Sequence, residues 1–153
     1  MRVDEQVPNR RRLLEVGQDE IYLHGFQAAS LEQILKRAGL TKGAFFHHFR
    51  SKTEFGYAVV DEVIGEMIAA QWVYPLQSAP DVLETIASEF ERGAATLRVQ
   101  RPILGCPLNN LAQEMNPLND GFRERTLAVF KAWERSYSDS IDRARRAGNV
   151  PGR

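Results

Sequence analysis

One cysteine, Cys106, stands in 153 residues. That scarcity excludes an internal disulfide framework and fits a reducing compartment. No apolar run reaches about 18 residues and no charged-then-apolar leader opens the chain, so neither a membrane span nor a secretory signal is expected, and a cytoplasmic location is. Neither sign of charge is in excess, with 20 basic and 20 acidic side chains. This argues against a protein that coats nucleic acid without preference. Low-complexity tracts, internal repeats and β-hairpin signals are also missing. No phosphate-binding glycine loop, nucleophile–base–orienter set or metal-ligand spacing is found, which leaves only a scattered site for an enzymatic reading. His47 and His48 are adjacent, so on a helix they point about 100° apart and do not chelate one ion as an i, i+4 pair would. No cofactor and no metal is expected.

What is present is helical periodicity in a chain with 43% hydrophobic residues, enough to bury a core. The expected fold is all-α. Its most informative stretch runs from Ser30 to Lys52, SLEQILKRAGLTKGAFFHHFRSK, and reads as two short helices around a tight turn. Ser30 with Gln33 has the spacing of a capping box. Leu31, Ile34, Leu35 and Ala38 make an i, i+3, i+4, i+7 stripe, and Gly39 stops the helix in a left-handed cap. Thr41 is placed to cap the second helix, on which Phe45 and Phe49 face inward while Lys42, Gly43, Phe46 and His47 project elsewhere.

Charge is distributed unevenly around this motif. Between Glu32 and Glu54 lie Lys36, Arg37, Lys42, Arg50 and Lys52 with no acidic residue, whereas residues 61–153 carry 11 basic and 13 acidic side chains. A local positive field of this kind attracts duplex phosphate, and Gly43 would let the backbone approach a sugar-phosphate strand. On charge alone, a solvated basic helix pair in an ordinary helical domain explains the pattern equally well.

The ordered residue pattern is more specific than the charge. GLTKGAFFHHFRSKTEF, residues 39–55, resembles the helix-turn-helix of TetR-family transcriptional regulators, and the likeness extends upstream through LLEVGQDEIYLHGFQAASLEQIL from Leu13. The resemblance implies a three-helix DNA-binding unit over residues 9–55, a helical ligand-binding and dimerisation body over 56–148, and a tail over 149–153. It further implies that Ser30, Thr41, Lys42, Gly43, Phe46, His47, His48 and Lys52 meet DNA, with His47 in the major groove and His48 and Lys52 on the backbone. Position 46 departs from the family, which usually has tyrosine there. The missing hydroxyl removes one phosphate bond, a loss of about 0.5–1.5 kcal/mol.

Beyond the motif, Ser51 with Glu54 repeats the capping spacing before a helix whose stripe is Phe55, Val59, Val63 and Met67. Trp72 to Pro80 reads as the connection out of it. Asp81 and Glu84 open another amphipathic helix, carrying Val82, Leu83, Ile86, Phe90 and Leu97, which ends near Val99. RPILGCPLNN, with Pro102, Gly105 and Pro107, reads as a break, and a short helix from about Asn109 to Met115 and a long one from Asp120 to Gly148 follow. The segment GCPLNNLAQEMNPLNDGFRERTLAVFKAW resembles one subgroup's version of the family's regulatory body. Leu104, Met115, Phe122, Phe130, Trp133 and Tyr137 could line an apolar effector pocket, or they could be core packing. Cys106 reads either as a buried structural thiol or as a sensor whose only basic neighbour in sequence is Arg101.

The implied function is a repressor that binds a palindromic operator on double-stranded DNA as a homodimer and is released by a small-molecule effector, with no membrane partner. The C-terminal end is shorter than the family's usual two further helices. A shortened paralogue that pairs with a relative without binding DNA productively by itself is therefore the competing expectation. Replacing His47 by Ala is expected to change sequence preference more than general affinity, and an identical preferred operator after the substitution would remove base reading from His47.

Overall fold

The structure, a computed structural model, describes residues 3–99, 102 and 104–149, with side chains from Pro8 onward. Among these residues all regular structure is helical. The helices form two compact units that do not follow chain order: of the described residues, those up to 65 pack with 106–126, and those between 66 and 105 pack with those from 127 onward.

In the first unit a long helix α1 (Val3–His24) supports α2 (Leu31–Ala38), α3 (Lys42–His48) and α4 (Lys52–Val59). Short elements need explicit starts and stops, because helices of seven or eight residues are not stable alone. Ser30 Oγ accepts from Gln33 N at 3.3 Å, Thr41 Oγ1 from Ala44 N at 3.2 Å and Ser51 Oγ from Glu54 N at 3.1 Å. Gly25 and Gly39 take φ of +81° and +64°, the left-handed conformation that ends α1 and α2. The Arg12 guanidinium, from α1, closes the end of α2 by donating to Ala38 O at 3.2 Å.

These elements are held by an aromatic centre. Phe45 and Phe49 of the α3 region and Phe55 of α4 are almost fully buried, with ring centroids 5.1–5.4 Å apart. Phe55 presses against α1 at Gly17, where a Cβ would run into its ring. Arg10 stacks over Phe49 at 5.1 Å and makes a two-point ion pair with Glu62. That pairing holds the Glu62 carboxyl below the ordinary carboxylate range.

The expected stripe of the fourth helix is corrected here. After Phe55 and Val59 the buried residues are Val60 and Ile64, whereas Val63 is half-buried and Met67 exposed. The cause is a π-helical turn, Val60–Ile64, whose Gly65 N–H reaches back five residues to Val60 O. This wider turn rotates the inward face by one residue.

The first unit is completed by α8 (Pro107–Met115) and the start of α9 (Asp120–Arg146). Leu108, Leu111, Met115 and Phe122 are buried. Phe122 meets Phe26 edge-on at 4.6 Å and Tyr57 at 4.9 Å. Gly56 sits under Phe26 and Phe122, where any Cβ would collide with both rings. The Tyr57 hydroxyl donates to Asn119 Oδ1 at 2.7 Å, and Arg125 pairs with Asp61 at 3.0 Å while lying over the Tyr57 ring.

In the second unit, α5 (Gly65–Ile68), a π-helical turn Ala69–Val73 and α6 (Tyr74–Gln77) carry helical backbone through the segment expected to be a connection. Trp72 and Pro75 are therefore helical. Pro75 is tolerated because it stands in the first turn of α6, where its nitrogen has no bond to donate. Asp81 Oδ1 accepts from Glu84 N at 3.0 Å and starts α7 (Val82–Val99) as the spacing indicates. The core here is Leu76, Val82 and Ala144, with Ile86, Tyr137 and Ile141 packed against it. Arg143, on α9, donates to Leu76 O at 3.0 Å. On α7, however, Leu83, Phe90 and Leu97 are exposed and Glu89 is buried, so this face departs from the expected stripe.

Replacing Phe45 by Ala removes the central ring of the aromatic cluster. The expected loss is about 3–5 kcal/mol of stability, read by chemical denaturation followed by circular dichroism. A loss below about 1 kcal/mol would show that the centre is not held in this way.

Candidate nucleic-acid interface

The inward turn of Phe45 and Phe49 fixes the outward face of α3. Thr41, Lys42, Gly43, Phe46 and His47 are all exposed, Phe46 at 48%, and His48 is half-buried beside them. Phe46 stands perpendicular to Phe45 with centroids 5.3 Å apart, so one edge is supported by protein while the other faces solvent. At Gly43 a Cβ would meet only Thr41 Oγ1, at 3.8 Å. Nothing inside the protein requires glycine there.

The two histidine rings lie edge-to-face at 5.2 Å. Burial, then the neighbouring His47 and Arg10 charges, holds the His48 imidazole below the ordinary histidine range. Among the described residues no group of three or more His, Cys, Asp or Glu side chains is placed to hold a metal ion.

Lys52 and Ser30 already have work within the protein. Lys52 Nζ donates to Gln27 O at 3.0 Å and lies 5.1 Å above the Phe26 ring. Burial lowers its pKa against a smaller opposing pull from Glu114. An ammonium has three donors, so two remain for other acceptors. Ser30 accepts through its hydroxyl oxygen and keeps its O–H free to donate.

The basic patch is smaller than the sequence implies. Arg37 turns back to α1, pairing with Asp19 at 2.9 Å and Glu20 at 3.4 Å, so its charge is locally offset. Lys36, Lys42 and Arg50 have no acidic partner within 4 Å among the described residues. The positive charge left without such a partner in residues 30–52 therefore rests on those three and on Lys52.

The six residues expected to line a pocket are divided. Met115 and Phe122 are core residues of the first unit, because α8 and the start of α9 pack there. Phe130, Trp133 and Tyr137 lie in the second unit, around a cleft of about 390 Å³ that Phe90, Glu134, Ser138 and Ile141 also line. Trp72 stacks on Trp133 at 5.3 Å and meets Phe90 at 5.2 Å. The Tyr137 hydroxyl is buried, and burial raises its pKa against a smaller opposing pull from the Trp133 side chain. Leu104 belongs to the second unit but is not among the residues of this cleft. Cys106 is half-buried at the N-cap of α8, where its thiol makes no capping bond, and Arg101 lies outside the described residues.

Sequence reasoning missed Glu114. Both its carboxylate oxygens accept from backbone: Phe26 N at 2.7 Å and Gln27 N at 2.9 Å. The signal available was weak, a lone acidic residue on a short helix some ninety positions from its partners.

Comparison with known proteins agrees with this geometry. A model of the bacterial regulatory proteins of the tetR family matches residues 13–57, and a model described as a tetracyclin repressor-like C-terminal domain matches residues 79–153. The chain is 28% identical over 141 residues to the transcriptional regulator AcuR of Cereibacter sphaeroides, covering 90% of this chain and 63% of that protein. It is 25% identical to the HTH-type transcriptional repressor DhaR of a Mycobacterium species, covering 95% of this chain and 71% of the relative. Among solved structures, the TetR regulatory protein of Rhodobacter sphaeroides aligns with a TM-score of 0.79 at 25% identity, over 93% of this chain and 75% of that one. Reduced NemR of Escherichia coli aligns with the same score at 24% identity, over 92% and 72%, and shows the shared fold. The chain belongs to the TetR family of bacterial regulatory proteins.

Proposed function

We propose that the chain is a DNA-binding transcriptional repressor that reads one half of a palindromic operator with α3, pairs with a second copy to read the other half, and is released by a small-molecule effector. The observation that carries this reading is the construction of α3: Phe45 and Phe49 anchor it while Lys42, Gly43, Phe46 and His47 stand free on its outer side. In this reading His47 reaches base edges, and Thr41, Lys42 and His48 meet phosphate. Ser30 and Lys52 add donors to the same strand through the hydrogens they retain. Gly43 lets the backbone close on the sugar-phosphate, and the Phe46 ring packs against a sugar or a thymine methyl.

The effector in this reading is an apolar, ring-containing molecule that enters the cleft beside Phe130, Trp133 and Tyr137, whose rings supply its apolar walls. Both tryptophans of the chain stand at that cluster. Intrinsic fluorescence therefore reports occupancy directly.

Selecting bound fragments from random duplex DNA is expected to return a symmetric site with half-sites about one helical turn, or a multiple of it, apart. Binding should weaken steeply with salt. An effector should quench tryptophan fluorescence over the same concentrations that release DNA. Recovery of no common sequence, or binding indifferent to salt, would refute the reading.

The depressed His48 pKa adds a pH test. A phosphate beside the imidazole favours its charged form, so the bound protein holds that proton more tightly than the free one. Affinity is then expected to rise as pH falls from about 8 to about 6, through the histidine range. His48→Gln should flatten this dependence. An equal slope in both proteins would mean that His48 does not bind phosphate.

A further inference from the structure

The turn between α1 and α2 is held from a distant part of the chain. Glu114, on α8, presents one carboxylate oxygen to Phe26 N at 2.7 Å and the other to Gln27 N at 2.9 Å, with Gln27 Nε2 at 3.5 Å. On the other side of the same turn, Lys52 Nζ, at the start of α4, donates to Gln27 O at 3.0 Å and covers the Phe26 ring. Residues 26–27 are thus gripped by a carboxylate from α8 and an ammonium from α4. Gly25 belongs to the arrangement, since a Cβ there would lie 3.0–3.2 Å from the Glu114 carboxylate.

The turn matters because it delivers α2. Ala29 N bonds to Gly25 O at 2.9 Å, and Ser30, the next residue, caps α2. The grip of Glu114 therefore sets the entry of α2, which the two residues from Gly39 to Leu40 join to the Thr41 cap of α3. A carboxylate accepting two backbone N–H groups is a strong and directional constraint, roughly twice a neutral pair in strength. No other side chain among the described residues bonds those two backbone groups.

We propose that Glu114 is the positioning residue for DNA reading: by chelating the Phe26 and Gln27 amides it places the α2–α3 motif and the Lys52 ammonium, so that α8 and the reader move as one body. The inference rests on the DNA-reading proposal above. It adds that a shift of α8 is transmitted as a change at the turn, through this carboxylate, rather than through general softening of the core. Glu114 itself touches no DNA in this account.

Glu114→Gln is the informative variant, because the amide keeps the shape but offers one acceptor oxygen where the carboxylate offers two. Leu111→Ala, on the same helix, serves as a packing control: it removes buried apolar atoms and leaves the clamp groups in place. Hydrogen exchange at the Phe26 and Gln27 amides reads the clamp in the absence of DNA. Glu114→Gln is expected to speed exchange at those two amides selectively and to weaken operator affinity by roughly tenfold or more, whereas Leu111→Ala lowers the melting temperature and leaves operator affinity within about twofold at a temperature where it remains folded.

Exchange at the two amides unchanged in Glu114→Gln would overturn the clamp. Faster exchange with operator affinity retained would overturn its role in positioning. Equal losses of affinity in the two variants would reduce Glu114 to ordinary packing and count against the proposal equally. Failure of the wild-type chain to bind any duplex would be a distinct result: it removes the DNA-reading proposal and the positioning role with it, while the exchange data still report whether the clamp exists.

Discussion

The outward face of α3 depends on three phenylalanine rings. The helix that carries it has seven residues, too few to persist in water by its own hydrogen bonds. Phe45 and Phe49, one turn apart, convert that weak helix into part of a core by packing against Phe55, which itself fills the space left by Gly17 on α1. Burying such rings contributes about 1.5–3 kcal/mol each by area, which is large beside the few tenths that helix propensity supplies. Everything outward on α3 is positioned by what is inward. Side-chain caps at Thr41 and Ser51 then set where each helix begins, and Arg10 closes the open edge of the cluster over Phe49.

The local rules that the sequence obeys are those the structure follows most closely. Ser30, Thr41, Ser51 and Asp81 cap helices as their spacing indicates, and Gly25, Gly39 and Gly148 adopt left-handed conformations at helix ends. These signals act within four residues, so one sequence contains them whole. Burial beyond Val59 was not legible, because a π-helical turn changes the period on which the stripe was read. The segment from Trp72 hides its helix for a related reason: a proline in the first turn of a helix and a proline in a loop look alike in sequence.

Longer-range facts were hidden for another reason. The six apolar residues that could line a pocket do not share a neighbourhood, because α9 changes company along its length, with Phe122 in one unit and Phe130 in the other. Arg37 stands in the basic run of the sequence, although its partners on α1 lie eighteen and seventeen positions earlier. Glu114 was not singled out at all, since an acid that serves backbone amides has no sequence signature. Charge and pairing are properties of the folded neighbourhood, and only the part of the site made by neighbours in sequence could be read ahead of it.

Gly43 separates two kinds of constraint on this chain. A glycine in a helix lowers stability by up to about 1 kcal/mol relative to alanine, and the space around this one would accept a methyl group. Folding alone would thus favour alanine at 43. Position 43 is therefore a place where the fold does not call for glycine, and any selection that keeps it glycine must act from outside the protein, through whatever surface α3 is pressed against.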